Sequence, residues 1–502
     1  MNLETINQYN PNQSDLVVQS DLAAEFPIYI YWPKNKQVLL YSTSIIKLLN
    51  DVRVHKPLKV SDEGISFLLQ SGVVPPPKTG YENIYILGIG DTAKITTVNG
   101  MIEVAFKYEF PFMNTNRLNA EVMQPNEDLI LQMLADATIN RIDKSKPSFL
   151  FHSAGKDSNC IALALAEAGW QDKVTLISHK SKDVTDESEI SAKIAKQLGF
   201  KHKILNEVDQ LKVSDKQVID EYFINAPFPC TDNITLAYPL YLNQVPDLKG
   251  ANIIDGGGND SYMVTPPKRE IRVIPLSKLT SKFSFMRQFI NSESLFNPLL
   301  RTPAEWFLMT IGLSTKDANQ IFANNKSVYP YWSGESSLRK EWDIFDFKTD
   351  ILTTVTAAEM HIRKARNFAD SMNSNFILPF ANQQVCEYFA KIPEVYLFDR
   401  KLLKNKIILR DMLKKRIMLD SDEIGKIGWK YDSRSLVIKN WDDILQEIQA
   451  CPLWSQVDVL RILKRMRKRM GCKDRGAKVS AQYIYRIYLI SAWHNRNRYL
   501  NY

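Results

Sequence analysis

The sequence predicts an α/β protein with a parallel sheet, and three observations support that prediction. Short apolar runs alternate with helix-length segments between about residues 145 and 255. Two of these runs lead directly into glycine loops, "SAGKDS" at 153–158 and "DGGGND" at 255–260, although the chain has only 19 glycines in 502 residues. Strands joined by crossover helices form parallel sheets, which bind ligands at the carboxyl ends of their strands. We therefore expect both loops to build one site.

The first 110 residues have a different, β-rich pattern. β-branched and aromatic residues dominate short runs that are separated by turn residues, which is typical of strands. The runs are "FPIYIYW", "QVLLYST", "ENIYILGIG", "AKITTV" and "MIEVAFKYEF". The pattern changes at about Pro125. We therefore expect a β-rich domain over 1–122 and a second domain over 123–502 that is mostly helical after about residue 280.

The second domain begins with a predicted amphipathic helix followed by alternating strands and helices. In "PNEDLILQMLADATINRI", Ile130, Met133, Leu134 and Ala137 share one helical face. The next elements are the strand "PSFLF" (147–151), the helix "NCIALALAEAGW", the strand "VTLIS", the helix "ESEISAKIAKQLG", and the strands "KHKIL" and "ANIID". Gly169 and Gly199 are the expected helix ends.

Bulk composition excludes several classes of protein. Hydrophobic residues make up 45% and charged residues 24% of the chain, as in ordinary globular proteins. No uncharged apolar run approaches the ~18 residues of a membrane span. The five scattered cysteines include no CxxC pair, which argues against a zinc site or a disulfide framework. The polar start does not resemble a signal peptide, so we expect a cytoplasmic protein with no membrane partner.

The net charge of +8 comes partly from two basic tracts, at 400–416 and 461–478. One interpretation is a nucleic-acid surface, and the other is a solvated helix face over an apolar stripe of Val457, Leu460 and Leu463. No aromatic residues interleave with the charges, as they do in many single-strand binders. We therefore favour the helix face, or a site for a small anion, over nucleic acid.

The first loop has the features of a phosphate site. If a helix begins at about Ser158, the preceding backbone N–H groups point towards an anion at its N-terminus. Asp157 would repel phosphate unless a cation such as Mg²⁺ bridges them. The loop lacks the GxxxxGK[ST] pattern of the P-loop. The candidate phosphate- and cofactor-binding residues of this loop are Ser153, Ala154, Gly155, Lys156, Asp157 and Ser158.

Five segments together resemble one enzyme superfamily. S-x-G-x-D-S is the pyrophosphate loop of the N-type ATP pyrophosphatases, and "DGGGND" is similar to the second loop of asparagine synthetases, S-G-x-G-x-D-E. "NFILPFANQQVCEYFAKIP" (375–393) resembles their E-x-R-x-P-F-L-D segment, "NKIILR" (405–410) their T-K-x-x-L-R, and "KIGW" (426–429) their K-K-G-F. Residues 67–95 resemble the late part of their glutaminase domain. The superfamily includes β-lactam synthetases and lasso-peptide cyclases.

The resemblance implies a fold, an activity and a site. The expected fold is an Ntn-type glutaminase-like remnant followed by an adenine nucleotide alpha hydrolase-like domain. The expected enzyme is a ligase that uses ATP and Mg²⁺ to adenylate a small-molecule or peptide carboxylate, which ammonia or an amine then converts to an amide. Asp157 and Asp260 would bind the metal, Gly256 and Gly258 would join the nucleotide cradle, and Lys426 and Lys406 would be catalytic.

The departures from the family pattern limit the activity. Position 2 is Asn2 rather than the nucleophilic cysteine of the glutaminases, and the first cysteine is Cys160, which we expect to be buried. We therefore expect no glutamine hydrolysis. Gly257 and Asn375 replace the tyrosine–glutamate pair of the ring-closing relatives, which argues against β-lactam synthesis. A tRNA-modifying ATP pyrophosphatase and a non-catalytic scaffold remain open alternatives.

Overall fold

The computed structural model describes residues 5–12, 14–114, 123–182, 186–425, 429–472 and 474–501. Its N-terminal part contains two antiparallel sheets, ordered β1–β4–β3–β5 and β2–β6–β7. Their strands are β1 Asn7–Gln8, β2 Leu16–Gln19, β3 Ile28–Tyr31, β4 Leu40–Ser42, β5 Ile84–Leu87, β6 Asp91–Val98 and β7 Met101–Tyr108. The five predicted strands are confirmed, and β1 and β2 are additional.

A five-stranded parallel sheet follows, in the order β10–β9–β8–β11–β12. It confirms the predicted α/β class and four predicted strands, whereas the fifth strand, β12, was not expected. The strands are β8 Ser148–Phe151, β9 Val174–Lys180, β10 Lys201–Asn206, β11 Asn252–Ile254 and β12 Asn375–Ile377. A short hairpin pairs β13 Phe398–Asp399 with β14 Lys404–Asn405.

Helices cover both faces of this sheet and most of the chain after residue 260. The α-helices are α1 Ile45–Asn50, α2 Asp62–Gln70, α3 Glu127–Ile139, α4 Lys156–Glu167, α5 Ser188–Leu198, α6 Val213–Asn225, α7 Ala237–Leu240, α8 Asp260–Met263, α9 Glu270–Thr280, α10 Pro303–Phe307, α11 Thr315–Ile321, α12 Tyr329–Leu338, α13 Ile344–Ile351, α14 Arg363–Ser371, α15 Gln383–Ala390, α16 Glu394–Leu397, α17 Ile407–Ile417, α18 Ser421–Ile424, α19 Ser433–Lys439, α20 Trp441–Ala450, α21 Gln456–Met470, α22 Arg475–Arg496 and α23 Arg498–Asn501. Short 3₁₀ segments span Tyr241–Asn243, Pro246–Leu248, Ser281–Gln288, Asn297–Leu300 and Pro379–Ala381, and a π-helix spans Leu352–Ile362.

Two helix predictions need correction. The helix after the first glycine loop begins at Lys156 rather than at about Ser158, because Gly155, in an extended conformation, already serves as its N-cap. In α21, Val457 is 77% exposed and does not join the apolar stripe. Leu463 does face the core, and the other buried residues of α21 are Val459, Ile462, Met466 and Met470.

One cluster of buried side chains joins the N-terminal strands to the parallel sheet and the C-terminal helices. Tyr29 of β3 stacks on Phe228 at 5.8 Å, and Tyr81 packs against Trp493 of α22 at 5.4 Å. The same cluster includes Phe149 and Phe151 of β8. The N-terminal strands therefore complete the hydrophobic core that packs against the central sheet. None of the helices formed by the described residues is both long and apolar enough to cross a bilayer.

Candidate active site at the switch point of the parallel sheet

The strand order creates a crevice between β8 and β11. From β8 the chain passes outwards to β9 and β10, and then returns to the other side of β8 to form β11 and β12. Loops at such a switch point diverge and leave room for a ligand at the carboxyl ends of the strands. Both glycine loops leave the sheet here. They line a cavity of about 960 Å³ with Ser153, Gly155, Asp157, Ser158 and residues 256–260. Ala154 and Lys156, two other predicted site residues, are not among its described lining residues.

Polar contacts among its own residues hold the first loop. The Ser153 N–H donates to Ser158 Oγ at 3.2 Å, and the Gly155 N–H donates to Ser153 Oγ at 3.0 Å. The buried Asn159 amide donates to the carbonyls of Gly155 and Ser153 at 2.6 and 3.0 Å. Asn159 Oδ1 lies 2.9 Å from Nε2 of His152, whose pKa burial lowers to about 4. These contacts keep the backbone turned towards the crevice.

The first loop is contacted by a carboxyl group that sequence analysis did not predict. Glu187, which follows β9 and is only 3% exposed, accepts a hydrogen bond from the Ala154 N–H at 3.1 Å. Burial raises the pKa of Glu187, and the Ala154 N–H acts in the opposite direction. An anion therefore already contacts one predicted phosphate donor. The sequence signal that could have identified Glu187 was its position after β9, the strand next to β8, because the loops that follow neighbouring parallel strands converge at the same end of the sheet.

Close packing and a few hydrogen bonds together shape the second loop, and Asn259 donates to Asp157 Oδ1 of the first loop at 2.6 Å. A Cβ on Gly256 would lie 3.1 Å from the Ser158 nitrogen, so the two loops touch backbone to backbone. A Cβ on Gly258, which has a φ of +104°, would lie 2.9 Å from Ala381 Cβ. Asp255 also braces the turn by accepting the Gly257 N–H at 2.8 Å. A Cβ on Gly256 would therefore crowd the first loop, and a Cβ on Gly258 would clash with Ala381.

Lys406 joins the two predicted metal-binding aspartates. Its Nζ lies 2.6 Å from Asp157 Oδ2 and 2.9 Å from Asp260 Oδ1, so the two carboxylates share one cation although 102 residues separate them. Nζ also donates to Asn259 Oδ1 at 2.9 Å. Burial alone would lower the pKa of Lys406, but the two carboxylates outweigh it and raise the pKa above its ordinary value. The expected proximity of Asp157 and Asp260 is therefore observed.

The donor set fits a magnesium ion that is shared with a ligand. Carboxylate and amide oxygens are hard donors that suit Mg²⁺, and the point between Asp157 and Asp260 already attracts a cation, the Lys406 ammonium. Among the described residues, no group of three or more His, Cys, Asp or Glu side chains is arranged to hold a metal by itself. Oxygens from a bound phosphate and from water would therefore have to complete the coordination.

Aromatic side chains form one wall of the cavity. The Trp429 ring lies 5.5 Å from Phe151 and 5.7 Å from the buried His179. His179 is fixed by Tyr241 OH and by the Lys430 carbonyl, each at 2.9 Å. This wall suits a flat ring. Lys426, the other predicted catalytic residue, lies outside the described residues.

A charged group also lines the cavity. Asp232 Oδ2 lies 3.2 Å from Lys364 Nζ and 3.9 Å from His361 Nε2. Burial alone would raise the pKa of Asp232, but Lys364 and His361 outweigh it and lower the pKa. His361 belongs to the π-helix and is 50% exposed. Such helices are rare and often mark functional sites. Sequence reasoning missed this group because periodicity does not reveal a π-helix.

Other residues singled out from the sequence have structural positions. Asn375 starts β12, at the edge of the sheet opposite the cavity, and donates to the Arg141 carbonyl at 2.6 Å. It therefore has no part in the pocket, which corrects its interpretation as a site position. Cys160 is fully buried, as expected, and burial raises the pKa of its thiol.

No protein-family model matches the chain, and no curated protein matches it.

Proposed function

We propose that the chain is an ATP- and Mg²⁺-dependent ligase that adenylates a carboxylate and forms an amide with ammonia or an amine. The observation that carries the proposal is the pair Asp157 and Asp260, which meet at the switch point of a parallel sheet between two glycine loops. The finer architecture belongs to the same proposal: a degenerate glutaminase-like domain over 1–122 and an ATP pyrophosphatase domain over 123–502.

In this proposal the first loop binds the pyrophosphate of ATP. The N–H groups of Ser153, Ala154 and Gly155 lie at the start of α4, where the helix dipole favours anions. They now contact Ser158, Glu187 and Ser153 side chains, which the phosphates would replace. Mg²⁺ bound by Asp157 and Asp260 would neutralise charge on the phosphates. The adenine ring would bind against the wall formed by Phe151 and Trp429.

Lys406 has a defined part in this scheme. It stays a cation at neutral pH although it is buried, because the neighbouring carboxylates more than offset the effect of burial on its pKa. A buried cation beside the phosphates stabilises the negative charge that develops when a carboxylate attacks the α-phosphorus. Lys426, three positions before Trp429 in the sequence, is proposed to act on the same charge.

The Asp232–Lys364–His361 group suits the second half-reaction. An amine that attacks an acyl-adenylate must lose a proton, and a half-exposed histidine paired with a carboxylate can accept it. Lys364 supplies positive charge for the substrate carboxylate. We therefore assign His361 as the base and Lys364 as the carboxylate contact.

The test is ATP–pyrophosphate exchange with a panel of amino acids, uronic acids and acidic peptides. Exchange that depends on both Mg²⁺ and one carboxylate supports the proposal, whereas no exchange with any member of the panel counts against it. His361→Gln should leave exchange intact and lower amide formation with ammonia, because only the second step needs the base. Equal loss of both would remove His361 from the base role.

We also propose that glutamine is not the nitrogen source. The first cysteine in the sequence is Cys160, which lies in α4 and is fully buried. Glutamine hydrolysis of this type needs an accessible thiolate. The assay is glutamate release from glutamine with ATP and Mg²⁺ present, and release at catalytic rates would contradict the proposal.

A non-catalytic scaffold is the second candidate, and one observation favours it. Side chains of the protein already engage the N–H groups of the first loop, and Lys406 already neutralises the two aspartates. A site completed in this way could be stable without a nucleotide. Failure of ATP to bind would favour the scaffold, whereas binding followed by exchange would exclude it.

A further inference from the structure

An exposed apolar surface follows the second glycine loop and lies outside the cavity. Ten large apolar side chains between residues 271 and 299 are exposed. Four of them are phenylalanines that are 51 to 67% exposed: Phe283, Phe285, Phe289 and Phe296. Single exposed apolar residues are ordinary, but a cluster of this kind marks an interaction surface. The other six are Ile271, Leu276, Leu279, Met286, Leu295 and Leu299.

The exposure belongs to a folded segment. Helix α9 packs against the 3₁₀ segments Ser281–Gln288 and Asn297–Leu300. Their inner side is fixed by the buried Ile274 and Leu300 and by a buried ion pair between Arg287 and Glu305 at 2.7 Å. The outer side is therefore a preformed surface, which we call the 271–299 surface.

The charges around the 271–299 surface are positive. Five basic residues in or beside it are exposed: Lys268, Arg269, Arg272, Lys278 and Lys282. The acidic residues of this segment face other partners. Glu270 is buried against Lys348 at 2.9 Å, and Glu293 pairs with Arg465 at 2.7 Å. The surface therefore presents aromatic rings and cations without a neighbouring exposed carboxylate from its own segment.

We propose that the 271–299 surface docks on an anionic lipid bilayer. Phenylalanine and leucine side chains enter the interface of a bilayer, while lysine and arginine contact anionic headgroups. A second copy of the chain is a poorer fit, because a symmetric interface would bring the two sets of cations together. The contact would be peripheral and independent of the proposed ligase activity, and it departs from the expectation from the sequence that the protein has no membrane partner.

The experiment is co-sedimentation of the full chain with phosphatidylcholine vesicles, with and without phosphatidylserine. We expect at least tenfold tighter binding to the vesicles that contain phosphatidylserine, and a loss of that preference as salt screens the charges. Failure to bind phosphatidylserine vesicles at low ionic strength would overturn the proposal, and would leave the surface to an acidic protein partner.

Two pairs of substitutions test the apolar and the basic contributions separately. Phe285→Ser with Phe289→Ser should weaken binding at least tenfold, because two exposed rings no longer enter the bilayer. Lys278→Ala with Lys282→Ala should weaken binding about fivefold per lysine. The matched controls are Val395→Ser and Lys340→Ala, at exposed positions elsewhere, and both should bind as the unmodified protein does.

Two further results would contradict the proposal. Vesicle binding that neither pair of substitutions changes would assign the contact to another surface. A dimer in analytical ultracentrifugation that Phe285→Ser with Phe289→Ser separates into monomers would assign the surface to a second copy. Thermal unfolding of each variant, compared with its control, shows whether the fold is retained, and the lysine pair preserves the test if the phenylalanine pair does not fold.

Discussion

The two glycine loops meet at one site but are held in place in opposite ways. The first loop, 153–158, is held by hydrogen bonds in which Asn159 donates to its carbonyls, while its own serines and Glu187 accept from its N–H groups. The second loop, 255–260, depends more on close contacts, since a Cβ on Gly258 would clash with Ala381 and one on Gly256 would crowd the Ser158 nitrogen. The first loop should therefore respond to changes of charge and pH, and the second to changes of volume.

The largest effect is expected at the point where the loops join. Asp157→Asn removes a carboxylate that contacts Lys406, so the site loses half of its proposed metal ligands while the fold is retained. We expect ATP–pyrophosphate exchange to fall at least about 10³-fold. Asp172→Asn makes the same chemical change at an exposed position and should have no effect. If ATP–pyrophosphate exchange survived Asp157→Asn, the site between the two loops would not be the site of the reaction.

The second loop should be sensitive to one added methyl group. Gly258→Ala combines an unfavourable φ of +104° with a contact of 2.9 Å to Ala381 Cβ. We expect the free energy of unfolding to fall by about 3 to 4 kcal/mol. Gly100→Ala is the control, because Gly100 has a φ of +75° but open space around it, and it should cost only about 1 kcal/mol. Equal costs in urea unfolding would show that close packing does not hold the second loop.

The first loop should be sensitive to acid. Burial lowers the pKa of His152 from 6.5 to about 4. Between these two pH values the unfolded chain therefore binds a proton at His152 that the folded chain does not bind. The stability present above pH 6.5 is therefore lost as the pH falls towards 4, by about 2 to 3 kcal/mol. His152→Gln should flatten this part of the pH profile of unfolding, whereas His55→Gln at an exposed position should not. If the unmodified protein and His152→Gln had identical pH profiles of unfolding, the account in which polar contacts hold the first loop would be contradicted.

The smallest effect is expected at Glu187. Glu187→Gln keeps an oxygen that can accept the Ala154 N–H but removes a negative charge from the phosphate cradle. ATP should bind at least about fivefold more tightly, because even at the dielectric constant of water two like charges about 4 Å apart repel by about 1 kcal/mol. Glu189→Gln, at a neighbouring exposed position, is the control. Weaker ATP binding to Glu187→Gln would mean that the carboxylate holds the loop in its binding shape.

Much of the site could be predicted from the sequence because it depends on local pattern. Apolar runs and glycine loops identified β8 and β11, and parallel strands bring their carboxyl ends together, which is why Asp157 and Asp260 meet. The remaining features depend on contacts between distant segments. The resemblance named Lys406 but not its contact with Asp157, which is 249 residues away, and Glu187, which follows β9, was not expected at all. The helix start was misplaced by two residues because an extended glycine can cap a helix without a side chain.

The central claim is that the switch point binds ATP through Asp157 and Asp260, and equilibrium binding of ATP to the full chain tests it most directly. Isothermal titration in the presence of Mg²⁺ should give one binding site, and removal of Mg²⁺ should weaken it strongly. Asp157→Asn and Asp260→Asn should abolish the Mg²⁺-dependent part, and Asp172→Asn should preserve it. An absence of ATP binding with Mg²⁺ present, or binding that the two substitutions leave unchanged, would contradict the claim.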